Sequence, residues 1–251
     1  MAAVYAARYG RSVLLFEPND YVGRKLRITG KGRCNVTNNS PTEVHMKNIP
    51  TNPRFMYSAF SMFGAEETMS FFEELGVPLK TERGDRVFPV SDKAEDIVSA
   101  LARELKSLGV EIVHKRVQSL IIEDGRCVGV TAGGKEYRSE TVLIATGGKS
   151  YPTTGSTGDG YRLAESAGHT IAELKPSLVP LTSPDKFCAE LMGLSLRNVT
   201  VKLMDGEKAI YSELGEMLFT HFGVSGPLVL SASSHIRDMQ PDRYKLLIDL
   251  K

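Results

Sequence analysis

The chain has 251 residues, of which 41% are apolar and 24% charged, a balance typical of a soluble globular protein with one large domain or two modest ones. Its formal charge of +1 creates no global field favouring nucleic acid or an anionic membrane. No apolar run reaches the length of about 18 residues that predicts a membrane span.

The three cysteines lie far apart in the sequence, at Cys34, Cys127 and Cys188. Because no C-x-x-C pair occurs, neither a zinc site nor a dithiol redox centre has its usual spacing, and we expect no metal. The N-terminus lacks the continuous apolar stretch of a signal peptide. An odd number of cysteines without an export signal predicts a reducing cytoplasmic location.

Both ends of the chain predict interrupted structure. Residues 1–9 (MAAVYAARY) predict the back half of a helix, and residues 12–16 (SVLLF) predict a buried strand of a parallel sheet. A short helix followed at once by a buried strand is what remains of a βαβ unit when its first strand and its glycine-rich turn are absent. Residues 243–250 (RYKLLIDL) predict a strand without a partner. We therefore expect truncation at both ends, the alternative being a natural short helix and a natural terminal strand.

Between the ends, the pattern predicts an α/β fold in two zones. Residues 1–180 carry predicted helices and short strands, and Asp124-Gly125 predicts a hairpin turn. The predicted helices are 65–75, 92–108 and 159–167, and the predicted strands are 110–114, 117–123, 126–131, 135–138 and a buried parallel strand at 140–145. In residues 181–251, strand 196–204 alternates in polarity and a short helix starts near 225–227, which predicts the start of an antiparallel β-rich domain.

Glu17 follows the first predicted strand directly. In a dinucleotide-binding βαβ unit, an acidic residue at this position accepts hydrogen bonds from the adenosine ribose hydroxyls. Strand-end carboxylates are also common as solvated groups, so Glu17 alone is a weak signal.

The segment 23–35 (GRKLRITGKGRCN) holds five cations and three glycines and no carboxylate. Glycines let the backbone approach a ligand, successive N–H groups form anion-binding nests, and cations neutralise a diphosphate. The alternative is a solvated basic loop that contacts RNA. Together with Glu17, the segment favours a dinucleotide cofactor.

These residues carry a resemblance to a known family. Glu17 with GRKLRITGKGRCNVTN, then ATGG at 145–148, YPTTGSTGDGY at 151–161 and GEMLFTHFGVSGP at 215–227, resembles the NAD(P)/FAD-dependent oxidoreductases that include the aminoacetone-oxidase-like and BaiN-type flavoproteins. The four stretches occur in family order over nearly the whole chain. The GKGRCN stretch is specific, whereas ATGG is shared by many flavoproteins.

The resemblance implies a Rossmann-like FAD-binding domain at 1–180, an inserted β-rich domain at 181–251, and a set of cofactor contacts. Glu17 would hold the FAD ribose, and Val117 would meet the adenine through its backbone. The pyrophosphate, the flavin and the cleft would be lined by Gly23, Arg24, Lys25, Thr29, Gly30, Lys31, Gly32, Arg33, Cys34, Asn35, Thr146, Gly147, Gly148, Gly158, Asp159 and Gly160. For Cys34 a packing role is favoured over a reactive thiol.

The implied function is flavin redox chemistry, with hydride passing from NAD(P)H through FAD to a small-molecule substrate or dioxygen. Catalytic residues stay unassigned. Because the first strand and its glycine-rich turn are absent, we expect this chain to bind FAD weakly or not at all. No nucleic-acid or membrane partner is expected. The alternative is a flavin-free nucleotide- or RNA-binding module that uses residues 24–33, and a third possibility is an inactive fragment.

Overall fold

In the computed structural model, which describes residues 1–250, the contacts divide the chain into two units, Met1–Ala172 and Glu173–Lys251. No helix within the described residues is both long enough and apolar enough to cross a membrane. Each unit has its own sheets and its own hydrophobic core.

The first unit contains seven α-helices among its described residues, three short 3-10 turns and three small sheets. The helices are α1 Ala2–Arg8, α2 Arg24–Ile28, α3 Thr42–Lys47, α4 Tyr57–Met62, α5 Ala65–Glu74, α6 Ala94–Ser107 and α7 Asp159–Ser166. The 3-10 turns are Thr29–Gly32, Pro53–Met56 and Pro152–Thr154. The strands are β1 Leu14–Phe16, β2 Thr37–Asn38, β3 Leu79–Glu82, β4 Arg86–Pro89, β5 Glu111–Val113, β6 Val117–Glu123, β7 Arg126–Ala132 and β8 Lys135–Arg138.

The first unit contains one parallel pair of strands among its described residues. Strand β1 pairs in parallel with β5, with Leu15 opposite Ile112. The apolar face of α6 packs into the same core as α1 and α5, where Val4, Phe71 and Ile97 are almost completely buried. The parallel pair and its packed helices confirm the α/β prediction for this unit.

The predicted hairpin also forms. Strands β6 and β7 pair antiparallel, and Asp124 and Gly125 both adopt positive φ angles of 47° and 74°. Two consecutive positive φ angles are the conformation of a type I′ turn, which matches the right-handed twist of the strands. Strand β8 then continues the sheet in the order β6-β7-β8.

Three sequence predictions are wrong. Residues 140–145 form no strand, and Leu143 is 68% exposed, because an apolar run becomes a buried strand only where neighbouring strands pair with it. Helix α6 begins at Ala94 rather than at Asp92, which adopts a positive φ of 57° and makes no capping bond. The strand at 243–250, expected to have no partner, pairs antiparallel with the strand Ser195–Asp205, with Ile248 opposite Val201. The basic segment 23–35 itself contains the short helix α2 and a 3-10 turn.

The second unit is built on a five-stranded antiparallel sheet in the order β13-β10-β11-β12-β9. Its elements are β9 Leu181–Thr182, α8 Phe187–Glu190, β10 Ser195–Asp205, β11 Lys208–Thr220, β12 Gly223–Ser225, α9 Pro227–Ser233 and β13 Tyr244–Asp249. The alternation of β10 buries Val199, Val201 and Leu203, as predicted from the sequence. Helix α9 starts with a proline in its first turn and buries Val229 completely, which confirms the predicted short helix. The five-stranded sheet confirms the predicted β-rich character of this unit.

Candidate functional site

Glu17 lies directly after β1, where its backbone N–H donates to the carbonyl of Val113 at the end of β5 (3.1 Å). One carboxylate oxygen, Oε1, accepts two hydrogen bonds from Asn19, one from the backbone N–H (2.9 Å) and one from Nδ2 (2.6 Å). Within residues 1–250, no side chain or backbone group donates to the other oxygen, Oε2. The strand end therefore presents a carboxylate that is fixed at one oxygen and open at the other.

Asn19 connects four parts of the first unit. Its Nδ2 also donates to the carbonyl of Thr154 (3.2 Å), and its Oδ1 accepts from Arg24 (3.0 Å). Its backbone carbonyl accepts from Nδ1 of His114, just beyond β5 (2.6 Å). Asparagine three residues after a strand end often bonds local groups. This signal was available in the sequence, although Asn19 was not among the predicted site residues.

Two of the five cations of the basic segment form ion pairs within the protein. Arg27 pairs with Glu95 (2.7 Å), and Arg33 pairs with Glu82 (2.6 Å) and Asp92 (2.8 Å). The hydrogen bond to Arg33 lowers the pKa of Glu82, and the pKa of the Arg33 guanidinium is raised in return. The positive charges of these two arginines are therefore compensated by carboxylates.

The other three cations keep their charge uncompensated. Arg24 donates to the neutral Oδ1 of Asn19, and Lys25 donates to the carbonyl and the hydroxyl of Ser150 (2.8 and 3.2 Å). Lys31 has no polar partner among residues 1–250. Since Ser150 and Thr154 belong to the glycine-rich loop 146–160, the bonds of Lys25 and Asn19 bring this loop beside Glu17 and the start of α2.

Residues 29–35 form a tight backbone turn whose contacts run to β3 and β4. Gly30, Lys31 and Cys34 have positive φ angles of 55°, 58° and 59°. A Cβ on Gly30 would lie 2.8 Å from the backbone nitrogen of Asn35. The amide of Asn35, oriented to satisfy its neighbours, donates to the carbonyls of Thr37 and Val87. Glycine is thus required at position 30 by the turn itself.

Cys34 is buried in this turn and only 2% exposed. Burial raises the pKa of its thiol, partly offset by a hydrogen bond with Thr29. A buried thiol with a raised pKa stays protonated near neutral pH and is a poor nucleophile. The geometry favours a packing role for Cys34.

The glycines of the loop 146–160 permit close packing inside the loop. A Cβ on Gly147 would lie 2.9 Å from Oγ of Ser156, and a Cβ on Gly160 would lie 2.6 Å from Oγ1 of Thr146. Gly148 lies against the hydroxyl of Tyr161 in the same way. These glycines therefore let the loop pack closely against itself and against the start of α7.

Arg116, which directly precedes Val117, connects the start of β6 to Asp159 of α7. Arg116 forms an ion pair with Asp159 and donates to the hydroxyl of Thr157 (3.0 Å). Val117 itself pairs with Ala132 at the start of β6, and Arg162 of α7 donates to the carbonyl of Gln118 (2.7 Å). Strand β6 is therefore fixed to the same glycine-rich region as Lys25 and Asn19. The assignment of Val117 to an adenine stays a prediction.

Comparison with known proteins gives a family match. Residues 1–229 match the family model described as HI0933-like protein Rossmann domain, which confirms the Rossmann-like prediction. A 3-dehydro-bile acid delta(4,6)-reductase of Clostridium scindens is 34% identical over 94% of this chain and 57% of its own length. A ribosomal RNA dihydrouridine synthase of Haemophilus influenzae is 33% identical over 93% of this chain and 58% of its own length.

Among solved structures, the L-proline dehydrogenase from P. horikoshii aligns with 82% of this chain and 57% of its own. The identity is 12% and the TM-score is 0.39, which is too low to establish a shared fold. The chain spans a little over half the length of the curated relatives that it matches.

Proposed function

Since the chain belongs to the HI0933-like protein Rossmann domain family, we propose that it carries the FAD-binding part of a flavin-dependent oxidoreductase. The observation that carries the proposal is the carboxylate of Glu17. It is held at the end of a parallel strand with one oxygen open, which is the position and the state that an adenosine ribose requires.

The residues present fit the adenosine diphosphate half of FAD. Ribose hydroxyls donate to a carboxylate in short, charge-assisted hydrogen bonds. Arg24 bonds the Asn19 that holds Glu17, and Lys25 bonds Ser150 of the loop 146–160. Neither charge is compensated by a carboxylate, as the binding of a diphosphate requires. Lys31 is a third cation of the basic segment that pairs with no carboxylate among residues 1–250. Arg27 and Arg33 already pair with carboxylates of the protein, so a diphosphate would compete with those carboxylates for their charge.

The chain's own contribution is binding and orientation. Glu17 orients the ribose, and the cations hold the diphosphate beside the glycine-rich loop. When bound, FAD supplies the redox step, in which NAD(P)H gives up hydride and a small-molecule substrate or dioxygen receives the electrons. The names of the two relatives describe a reductase and the synthesis of a dihydro product, so we propose a carbon–carbon double bond as the substrate class of the whole protein.

A flavin-free nucleotide- or RNA-binding module remains the second candidate. One relative is named for ribosomal RNA, and Arg24, Lys25 and Lys31 keep charges that the phosphates of any polymer could approach. The ion pairs of Arg27 and Arg33 disfavour this function, because they remove two of the five charges on which it depends.

The test is a titration of the purified chain with FAD, followed by fluorescence polarisation of the flavin, beside a titration with labelled single-stranded RNA. We expect saturable FAD binding that excess ADP displaces, however weak it is. RNA binding that disappears with added salt, together with no FAD binding, would instead establish the second candidate.

A further inference from the structure

We infer that Asn19 is a positioning residue that makes ribose recognition by Glu17 possible. This inference rests on the proposed function, because it concerns the same adenosine site. Asn19 acts through Glu17, and it determines which carboxylate oxygen the ribose hydroxyls of the ligand can reach.

The first step is the use of the Glu17 carboxylate. An ionised carboxylate has two oxygens with about four acceptor positions in all. Asn19 fills Oε1 with two donors, its own N–H at 2.9 Å and its Nδ2 at 2.6 Å. Ribose hydroxyls are therefore directed to the other oxygen, Oε2, and the two bonds from Asn19 fix the plane of the carboxylate.

The second step is the fixed orientation of the Asn19 amide. Nδ2 faces two acceptors, Oε1 of Glu17 and the carbonyl of Thr154, whereas Oδ1 faces a donor, Arg24. Exchanging oxygen and nitrogen would place donor against donor and acceptor against acceptor. Only the observed orientation satisfies all three neighbours, so Asn19 connects the ribose carboxylate to a cation of the basic segment.

The third step is the space around Asn19. A Cβ on Gly155 would lie 2.9 Å from Nδ2 of Asn19, and Gly155 has a positive φ of 102°. The glycine-rich loop therefore approaches the asparagine amide so closely that a side chain at 155 would displace it. The basic segment and this loop both meet Asn19 at the point where Glu17 is fixed.

The test measures how strongly binding depends on the ribose hydroxyls. The ratio of the affinities for ADP and for 2′,3′-dideoxy-ADP is determined by calorimetry for the wild-type chain, Glu17→Gln, Asn19→Ala and Asn19→Asp. Asn38→Ala is the matched control, because Asn38 also ties a loop by donating to a carbonyl, that of Gly84 (2.8 Å).

We expect the ratio to fall about three- to tenfold in Asn19→Ala, towards the value of Glu17→Gln, and to stay unchanged in Asn38→Ala. Asn19→Asp keeps the size of the side chain but places a second carboxylate against Oε1, so its ratio falls as well. If Asn19→Ala does not fold, Asn19→Asp decides, because a residue that only fills space would tolerate this exchange.

An unchanged ratio in a folded Asn19 variant overturns the inference and leaves the proposed function standing. Equal wild-type affinities for the two nucleotides overturn both the inference and the assignment of Glu17 to a ribose. If the wild-type chain binds neither ADP nor FAD, the proposed function fails, and the inference fails with it.

Discussion

At the scale of single residues, the cations of the basic segment separate into two groups with different roles. Arg33 is held by Glu82 and Asp92 and lies over the ring of Phe88 (3.9 Å), so it connects the turn at 29–35 to β3 and β4. Lys31, in the same turn, contacts no carboxylate within residues 1–250. Sequence alone could not separate them, since the partners of Arg33 lie about fifty or more residues away.

Exchange of these two cations should therefore affect different properties. We expect Arg33→Met to lower the melting temperature with a secondary loss of FAD affinity. Lys31→Met should leave the melting temperature unchanged and weaken FAD binding directly, because a diphosphate loses one positive charge. Differential scanning fluorimetry and FAD titration of both variants measure this. A lower melting temperature in Lys31→Met, with no change in Arg33→Met, would contradict this assignment of the two roles.

The ion pairs of Arg33 also predict that the stability of the fold depends on pH. The pKa of Glu82 and the pKa of Asp92 are lowered in the folded chain, by hydrogen bonds from Arg33 and Lys80 respectively. Lowered carboxyl pKa values stabilise the fold above the unfolded values near pH 4, and this stabilisation is lost as the pH falls through the folded values. The difference in melting temperature between the wild type and Arg33→Met should thus shrink below about pH 4. A constant difference down to pH 2 would argue against the pairs.

Cys34 provides a third prediction at this scale. Its thiol is buried and has a raised pKa, whereas Cys127 is partly exposed. Timed alkylation with iodoacetamide at neutral pH, read by mass spectrometry, should modify Cys127 well before Cys34. Faster modification of Cys34 would indicate a reactive thiol in the basic segment.

At the scale of elements, local patterns predicted the hairpins and amphipathic helices well. The β6–β7 hairpin and the buried face of β10 follow from alternation and turn residues that are close in sequence. Residues 140–145 have an equally apolar run and yet form no strand, because strand pairing depends on distant partners. The bonds of Asn19 to His114 and Thr154 are distant contacts of the same kind, spanning 95 and 135 residues, which is why the candidate site was only partly predicted.

Two glycines of the second unit differ in what an added side chain would cost. At Gly206 the cost is backbone strain alone, and at Gly226 it is backbone strain together with a steric clash. Gly206 has a positive φ of 61° with no neighbour within 4 Å of an added Cβ. Gly226 has a positive φ of 95°, and an added Cβ would lie 2.8 Å from Cα of Met217. We expect Gly206→Ala to lower the free energy of unfolding by about 1–2 kcal/mol, and Gly226→Ala by roughly 2 kcal/mol more. Urea denaturation measures both, and equal losses would show that the backbone of β11 yields without cost.

At the scale of the whole molecule, the family match runs across both units, to residue 229, while the candidate adenosine site lies within the first. The α/β class and the Rossmann-like character were predictable because Glu17, the basic segment and the glycine-rich loop follow one another in this chain in the same order as in the family that it resembles. The substrate was not predictable, since the relatives act on a bile acid and on ribosomal RNA. The names of these two relatives share no substrate.

The central claim is that Glu17 holds the adenosine half of FAD, and the most direct test compares FAD with FMN, which lacks that half. Affinities of the wild-type chain and of Glu17→Gln for both flavins are measured by fluorescence polarisation. We expect the wild type to prefer FAD, and Glu17→Gln to weaken FAD binding roughly ten- to hundredfold while leaving FMN binding unchanged. A wild-type chain that binds both flavins equally, or a Glu17→Gln variant that keeps its preference for FAD, would contradict the claim.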